Sequence, residues 1–335
     1  LSGGLDSRVI LGLIDDNRMP VTTITYGRPN CRDMHYAQRM AARVGTNHHP
    51  FPFQDGRWVL DFVGQHLERT EGFHSWIHAH GISILDQVRP LIDVNLTGLQ
   101  GDPLDWEDPA LFHAQDDEAF AARLFHLLCQ KTTWPSLDAG EIELLYAPQV
   151  ARQMRGLAFD SFRSELARHA HLAPELRAQS FGCFNPDRRL FQYYTVFQRS
   201  HFEFRFPFYD YAYFQFVHAL PPEMLVKRRL RRKVVTRFVP GLASVPYDKD
   251  DLPVTDHPLT AWSAKWINKG KKLLGGQMPR LFPAYATLHS DYETWLRNEL
   301  YDWGRELFLG ERTLQRGLFE PDFLRSLWRR HQSGL

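Results

Sequence analysis

The chain has 335 residues, long enough for one large domain or two modest ones, with 43% hydrophobic and 24% charged residues, the proportions of an ordinary globular protein. A formal net charge of +1 gives no overall signal for nucleic acid or an anionic membrane. Cys31, Cys129 and Cys183 are too few and too far apart for a disulfide framework or a zinc site, which suits a reducing cytoplasm, and no apolar run reaches the ~18 residues of a membrane span.

In chain order, Leu1 to Asp16 reads as a strand end, a glycine-rich turn and a helix with Val9, Ile10, Leu13 and Ile14 on one face. The opening reads as the end of a buried strand without an initiating methionine, so a preceding segment is expected. Val21 to Tyr26 is β-branched and predicts a strand ended by Gly27. Met34, Ala37, Ala41 and Val44 predict a helix over 33–44 with Gly45 as its stop. Strands are expected at 48–53 and 92–97, with a helix over 73–88 between them. This alternation predicts an α/β fold, a parallel sheet with crossover helices. Beyond Pro109 the pattern turns helical: 117–131, 140–169, 190–202, 211–219, 227–238, 258–274, 291–308 and 320–333. The segment 241–257 reads as a long loop of the kind that forms lids.

Ser2-Gly3-Gly4-Leu5-Asp6-Ser7 stands between the strand end and the helix. Glycines let backbone N–H groups approach an anion, Ser2 and Ser7 add hydroxyls, and the helix start adds positive charge. Asp6 alone would repel phosphate, so it implies a bridging cation such as Mg²⁺. The bland alternative is a strand-to-helix turn with Asp and Ser as caps. His48 and His49 are adjacent on a strand and point to opposite faces, so they are read as structural rather than as joint metal ligands. The basic run Lys227 to Lys233 reads as a solvated helix face.

With these residues on the page, the sequence resembles the synthetase domain of the asparagine synthetase family, whose relatives include β-lactam synthetase and lasso-peptide cyclases and which belongs to the PP-loop ATP pyrophosphatases. The resemblance is carried by Ser2 to Ser7, Tyr26-Gly27, Asp33, Ala37, Ala42, Val44 to His49, Leu96 to Asp102, Phe202 to Asp210, Leu220 to Glu223, Lys227 to Arg231, Tyr247 to Pro253 and Arg316 to His331. It implies an adenine-nucleotide α-hydrolase-like core over 1–108, with 109–335 as a mostly helical remainder lending the 202–210 block and the 246–254 loop. It implies ATP on Leu1, Ser2, Gly3, Gly4, Leu5, Asp6, Ser7, Tyr26, Gly27, Thr97 and Gly98, with Mg²⁺ on Asp6 and Asp102 and Asp105 as a weaker candidate. Tyr26 fits the core as well as a nucleotide wall, and Asp102 before Pro103 fits a turn as well as a ligand. Lys249 matches a lysine that stabilises charge during adenylation and amidation. Glu203 and Arg205 lie in an aromatic stretch expected to be buried, where they pair or serve the site; in β-lactam synthetase the matching Glu partners a catalytic Tyr. Asp210 reads as a helix cap.

The implied reaction is ATP-dependent carboxylate activation as an acyl-adenylate, with pyrophosphate release, then amide formation, asparagine synthase-like. The partners implied are a small-molecule or peptide carboxylate, with ammonia from an absent or separate glutaminase domain or a substrate amine; homodimerisation is left open. Departures point away from free aspartate. Leu99 replaces an acid that could take a proton, Pro103 follows Asp102, and Thr70 to Trp76 replaces the aspartate-recognition segment, so Glu71, His74 or Trp76 would shape another acceptor pocket. An intramolecular amide ligase, a non-catalytic nucleotide-binding module and a PP-loop enzyme acting on tRNA are the competing readings.

Overall fold

The computed structural model describes residues 1–14, 20–99, 101, 116–131, 137–191, 193–225, 228–255, 262–263, 266, 269–270 and 285–334. The described residues form two units: Leu1–Glu107 with Asp187–Asp291, and Asp108–Pro186 with Tyr292–Leu335. The chain leaves the first unit at Glu107, next to the expected division at 108, and returns to it at Asp187. The middle of the expected helical remainder belongs with the N-terminal residues, because it supplies a strand, a helix and a hairpin to their core.

In the first unit, α1 (Leu5–Leu13) follows the glycine turn directly. Its buried face is Leu5, Arg8, Val9 and Leu11, while Leu13 is exposed, so the expected face is rotated. β1 (Thr22–Gly27) is followed by α2 (Arg32–Val44), which buries Met34, Ala37, Met40 and Ala41. Gly45 ends α2 at φ 83°, a left-handed conformation that glycine adopts without steric cost, and its N–H donates to Ala41 O. β2 (Asn47–Pro52) then pairs parallel with β1, from Thr22 opposite Asn47 to Gly27 opposite Pro52. Strand, helix and parallel strand thus appear as the periodicity requires.

The third strand departs from expectation. β3 (Val94–Leu96) pairs parallel with β4 (Glu203–Arg205) rather than with β1, and β4 was missed in the sequence because it is so short. The open edge of β1 is met by Leu1, whose amino group donates to Ile24 O and whose carbonyl accepts from Thr25 Oγ1 at 2.6 Å. The fold is therefore mixed helix and strand with short parallel pairs.

α3 (Trp58–Thr70) was not anticipated, because its buried positions include the polar His66 and Thr70. The helix expected over 73–88 is instead two 3₁₀ turns, Trp76–His78 and Ile82–Ile84, and a short helix, Leu85–Val88. Glu71 and Gly72, both at positive φ, break the chain ahead of it. Ile82, Ile84, Leu85 and Val88 pack on Phe197 and Phe202. The long loop after Gly241 resolves into a helical turn, Pro240–Ala243, and an antiparallel hairpin of β5 (Pro246–Tyr247) and β6 (Leu252–Pro253). Leu5 and Val9 of α1 pack against Val235 of the Arg229–Phe238 helix and Val239 just after it, together with Phe208 and Tyr247.

The second unit is helical. The expected 140–169 helix divides into Ala139–Leu145, Pro148–Met154 and Leu157–Ala167, interrupted by Pro148 and by Gly156 at φ 79°. Asp138 closes a capping box with Glu141. Arg177, from the unanticipated Pro174–Gly182 helix, pairs with Asp117 at 2.8 Å and lies over the Phe120 ring. The expected 291–308 helix is two, Tyr292–Arg297 and Tyr301–Leu309, and the final helix spans Pro321–Gln332. The helix expected over 258–274 lies mostly outside the described residues.

Candidate active site

A cavity of about 420 Å³ opens between β1 and β3 in the first unit, a size suited to a small-molecule ligand. One end is mostly polar, with Ser2, Gly4, Asp6, Ser7, Thr97 and Gly98 beside the apolar Leu99. The other is apolar, with Ile24, Ile84, Leu85, Phe202 and Phe204. Of the residues expected at the nucleotide, Leu1, Ser2, Gly4, Asp6, Ser7, Tyr26, Thr97 and Gly98 all line this space. Gly3, Leu5 and Gly27 do not: Leu5 is in the core, and Gly27 packs against Cys31 and His289.

The turn folds on its own polar groups. Ser2 Oγ and Ser7 Oγ are 3.0 Å apart, and Gly4 N donates to Ser2 Oγ at 3.2 Å. Gly3 N does not face the cavity; it donates to Asp33 Oδ1 at 2.7 Å, a role for Asp33 beyond the sequence match. No side chain caps the start of α1. Among the described residues no side chain occupies the first-turn donors of that helix, an arrangement that suits an anion there.

Asp6 stands in this first turn. Burial holds its carboxyl above the ordinary carboxylate range, and the nearby cations Arg231, Arg228 and Lys249 offset only part of that rise. Arg231 Nε is 3.1 Å from Asp6 Oδ1 in an ion pair, and Oδ1 is buried without a hydrogen bond among the described residues. A buried carboxylate oxygen with unused lone pairs fits a cation between protein and phosphate. Among the described residues no three His, Cys, Asp or Glu side chains converge to hold a metal by themselves. The second expected ligand, Asp102, and the weaker candidate Asp105 lie outside the described residues.

The basic run is corrected at one position. Arg231 is 6% exposed, with its guanidinium 4.2 Å from the Phe208 ring centroid. Its spacing from Val235, four residues on, places it on the buried face of the helix, a signal present in the sequence. Arg232 pairs with Asp250 at 2.8 Å, which ties the same helix to the β5–β6 hairpin. Lys249 is exposed in that hairpin, does not line the cavity, and reaches Asp6 only through its field.

Glu203 and Arg205 are not buried. They form a 2.7 Å pair with both side chains more than half exposed. Strand alternation is the reason: Phe204, between them, faces the cavity, so its neighbours face away. Asp210 caps the Tyr211–His218 helix as expected, accepting from Ala212 N and Tyr213 N. His48 is structural, with Nδ1 3.0 Å from Thr23 Oγ1.

The far wall carries groups the sequence did not single out. His80, Tyr194, Gln198 and His289 line the cavity, with the His80 and His289 rings 4.5 Å apart. Burial, then the neighbouring His289, pushes the His80 ring down to about 3, and burial pushes the Tyr26 and Tyr194 hydroxyls up to about 12. Burial lowers the His289 ring as well, so His80, His289, Tyr26 and Tyr194 are neutral at pH 7 and put no charge on the wall. Glu71, His74 and Trp76, expected to shape an acceptor pocket, do not line the cavity.

His74 lies behind this wall, 1% exposed, with neither ring nitrogen hydrogen-bonded, and burial pushes it down to about 3. Its lowered folded value means that the unfolded chain takes up a proton below the ordinary 6.5 while the folded protein does not. Stability is therefore intact above pH 6.5 and falls as pH drops from 6.5 towards 3, by at most about 1.4 kcal/mol per pH unit for one such group. His74→Phe keeps the stacking on Tyr193 and Phe197 and is expected to flatten this loss. Urea midpoints at pH 7.5 and 5 for both proteins test it; equal slopes with pH would refute it.

A comparison with known protein families matches residues 1–243 to asparagine synthase. The chain belongs to the asparagine synthase family. Asparagine synthase relatives are ATP-dependent amide ligases, and the matched span holds the serine–glycine turn, the Thr97–Gly98 loop, β4 and Arg231. It ends short of the β5–β6 hairpin and Lys249. A search of curated proteins finds no match. No helix among the described residues is long and apolar enough to cross a membrane.

Proposed function

We propose that this chain activates a carboxylate on ATP, releasing pyrophosphate, and passes the acyl-adenylate to an amine to form an amide, on a PP-loop nucleotide-binding core. The observation that carries the reading is the uncapped start of α1 beside Ser2, Ser7 and Gly98, at one end of a nucleotide-sized cavity. In this reading the phosphates take the first-turn N–H groups, and the Ser2 and Ser7 hydroxyls exchange their mutual bond for phosphate oxygens. Mg²⁺ held by Asp6, and by Asp102 on the resemblance, would supply charge neutralisation at those oxygens. Leu1 and Tyr26 flank the base. The Lys249 side chain, reaching in from its hairpin, would offset charge on the leaving pyrophosphate, and exclusion of water from the site would strengthen that effect.

Leu99 lines the cavity where relatives carry an acid. It can take no proton, and this favours a substrate other than free aspartate, including a peptide or an intramolecular amine as in the cyclases and β-lactam synthetase. The far wall of neutral imidazole and phenol groups offers no cation to pair a second carboxylate, which suits a substrate with no charge beyond the reacting carboxylate. The partners proposed are thus a small-molecule or peptide carboxylate and an amine, with ammonia supplied by a separate glutaminase as the other source. We place the reaction in the cytoplasm.

Product accounting tests the chemistry: a carboxylate-dependent yield of AMP and pyrophosphate is expected, and ADP with phosphate would refute it. Lys249→Met is expected to keep ATP affinity within about threefold while slowing AMP formation roughly 100-fold or more, the scale for removing one charge-stabilising donor. Loss of ATP binding in that variant would place Lys249 in nucleotide binding instead. A chain that binds ATP but turns over no carboxylate would be a nucleotide-binding module.

A further inference from the structure

Asp6 is held by an apparatus that reaches across the first unit. Arg231 Nε sits 3.1 Å from Asp6 Oδ1, and Arg231 Nη2 donates to Tyr213 Oη at 2.9 Å. Tyr213 Oη in turn donates to Gly101 O at 3.2 Å. The Phe208 ring lies under the guanidinium at 4.2 Å and 5.3 Å from the Tyr213 ring. Gly101 itself lies against the Asp6 carboxylate, where an added Cβ would come within 2.1 Å of Oδ1. The first turn of α1 is thereby joined to the loop after β3 through an arginine and a tyrosine from two other helices.

A buried guanidinium is costly unless it is paired and hydrogen-bonded. Here its fork is divided between Asp6 and Tyr213 while its face rests on an aromatic ring, which suits arginine and not lysine. The contact on Oδ1 leaves that oxygen without a hydrogen bond, so Arg231 orients and neutralises the carboxylate without using up its lone pairs.

We propose that Arg231 is a positioning residue for the nucleotide site, acting through Asp6: the Phe208–Arg231–Tyr213–Gly101 assembly fixes the Asp6 carboxylate in the orientation in which MgATP is bound. The proposal rests on the ATP reading above. It separates Arg231 from the rest of the basic run, of which Arg232 serves the hairpin.

The test is a double-mutant cycle read by calorimetric MgATP binding. Arg231→Met, which keeps the stem on Phe208, is expected to weaken binding about tenfold or more, with Arg231→Lys restoring part of it. In an Asp6→Asn background the same change is expected to cost less than about twofold, because the carboxylate it positions is gone. An unchanged affinity in Arg231→Met, or full additivity with Asp6→Asn, overturns the proposal while leaving ATP binding intact. A wild-type chain that binds no MgATP overturns both readings. Should Arg231→Met fail to fold, Tyr213→Phe decides: it keeps the ring, removes the hydroxyl with its bonds to Arg231 and Gly101, and is expected to weaken binding about two- to fivefold, again only when Asp6 is present. No effect of Tyr213→Phe would count against the assembly.

Discussion

Replacing Arg8 with methionine is expected to remove roughly 3–5 kcal/mol of unfolding free energy, among the largest losses for any single change in this chain. Arg8 is 0% exposed and donates to four carbonyls: Leu242 at 3.1 Å, Val245 at 2.6 Å, Gly3 at 3.1 Å and Pro246 at 2.9 Å. Burial lowers its guanidinium to about 10, with Asp248 and Asp250 holding it up, so it is charged at neutral pH. Methionine fills the stem's volume but leaves those buried carbonyls without their donor, and each such loss costs about 1–3 kcal/mol before relaxation. Three of the four carbonyls lead into the β5–β6 hairpin and the fourth belongs to the phosphate turn, so the variant should also loosen Lys249 relative to Asp6. Urea unfolding followed by circular dichroism measures the loss; a midpoint within error of wild type would show that Arg8 is not the tie the geometry makes it.

The second large effect is expected at the loop after β3, on binding rather than on folding. At Gly101 an added Cβ meets Asp6 Oδ1 at 2.1 Å and Cγ at 2.3 Å, so alanine must drive the carboxylate out of its place. At Gly98 the first obstacle is backbone, Ser7 N at 2.9 Å, and the loop itself must lift from α1. Overpacking of this kind costs about 1–3 kcal/mol, equivalent to a factor of roughly 5 to 150 in affinity when it falls on the binding-competent arrangement. Gly101→Ala should lose MgATP affinity by that factor with the smaller loss of unfolding midpoint of the two, because the atoms it meets, Oδ1, Cγ and Cβ of Asp6, are all side chain. Gly98→Ala should lose both. Titration calorimetry beside thermal melts separates the two, and a Gly101→Ala chain that binds MgATP normally would mean that Asp6 is not at the nucleotide.

Much of the site could be read from the sequence because a phosphate turn is local. Ser2 to Ser7 carries its glycines, hydroxyls and helix start within six residues, and all but Gly3 and Leu5 of it line the cavity. The Gly45 stop and the Asp210 cap were legible for the same reason: backbone geometry and the residue that satisfies it are neighbours in the chain. What failed to show depends on distant packing. Arg8 and Arg231 are charges on buried helical faces, and only their carbonyl, carboxylate and aromatic partners, contributed by other segments, make those positions tolerable. Glu203 and Arg205 were misjudged because an aromatic stretch reads as buried throughout, whereas a strand buries alternate residues. β4 could not be paired from sequence, since its partner β3 lies more than a hundred residues earlier.

The central claim, that this chain adenylates a carboxylate at the Ser2–Ser7 turn, is tested most directly by exchange of labelled pyrophosphate into ATP with Mg²⁺ and a panel of free and peptide carboxylates, for wild type and Asp6→Ala. The expected result is exchange that depends on one class of carboxylate and is lost in the variant. Exchange that survives in Asp6→Ala, or a wild-type chain that neither exchanges nor binds ATP, would contradict it.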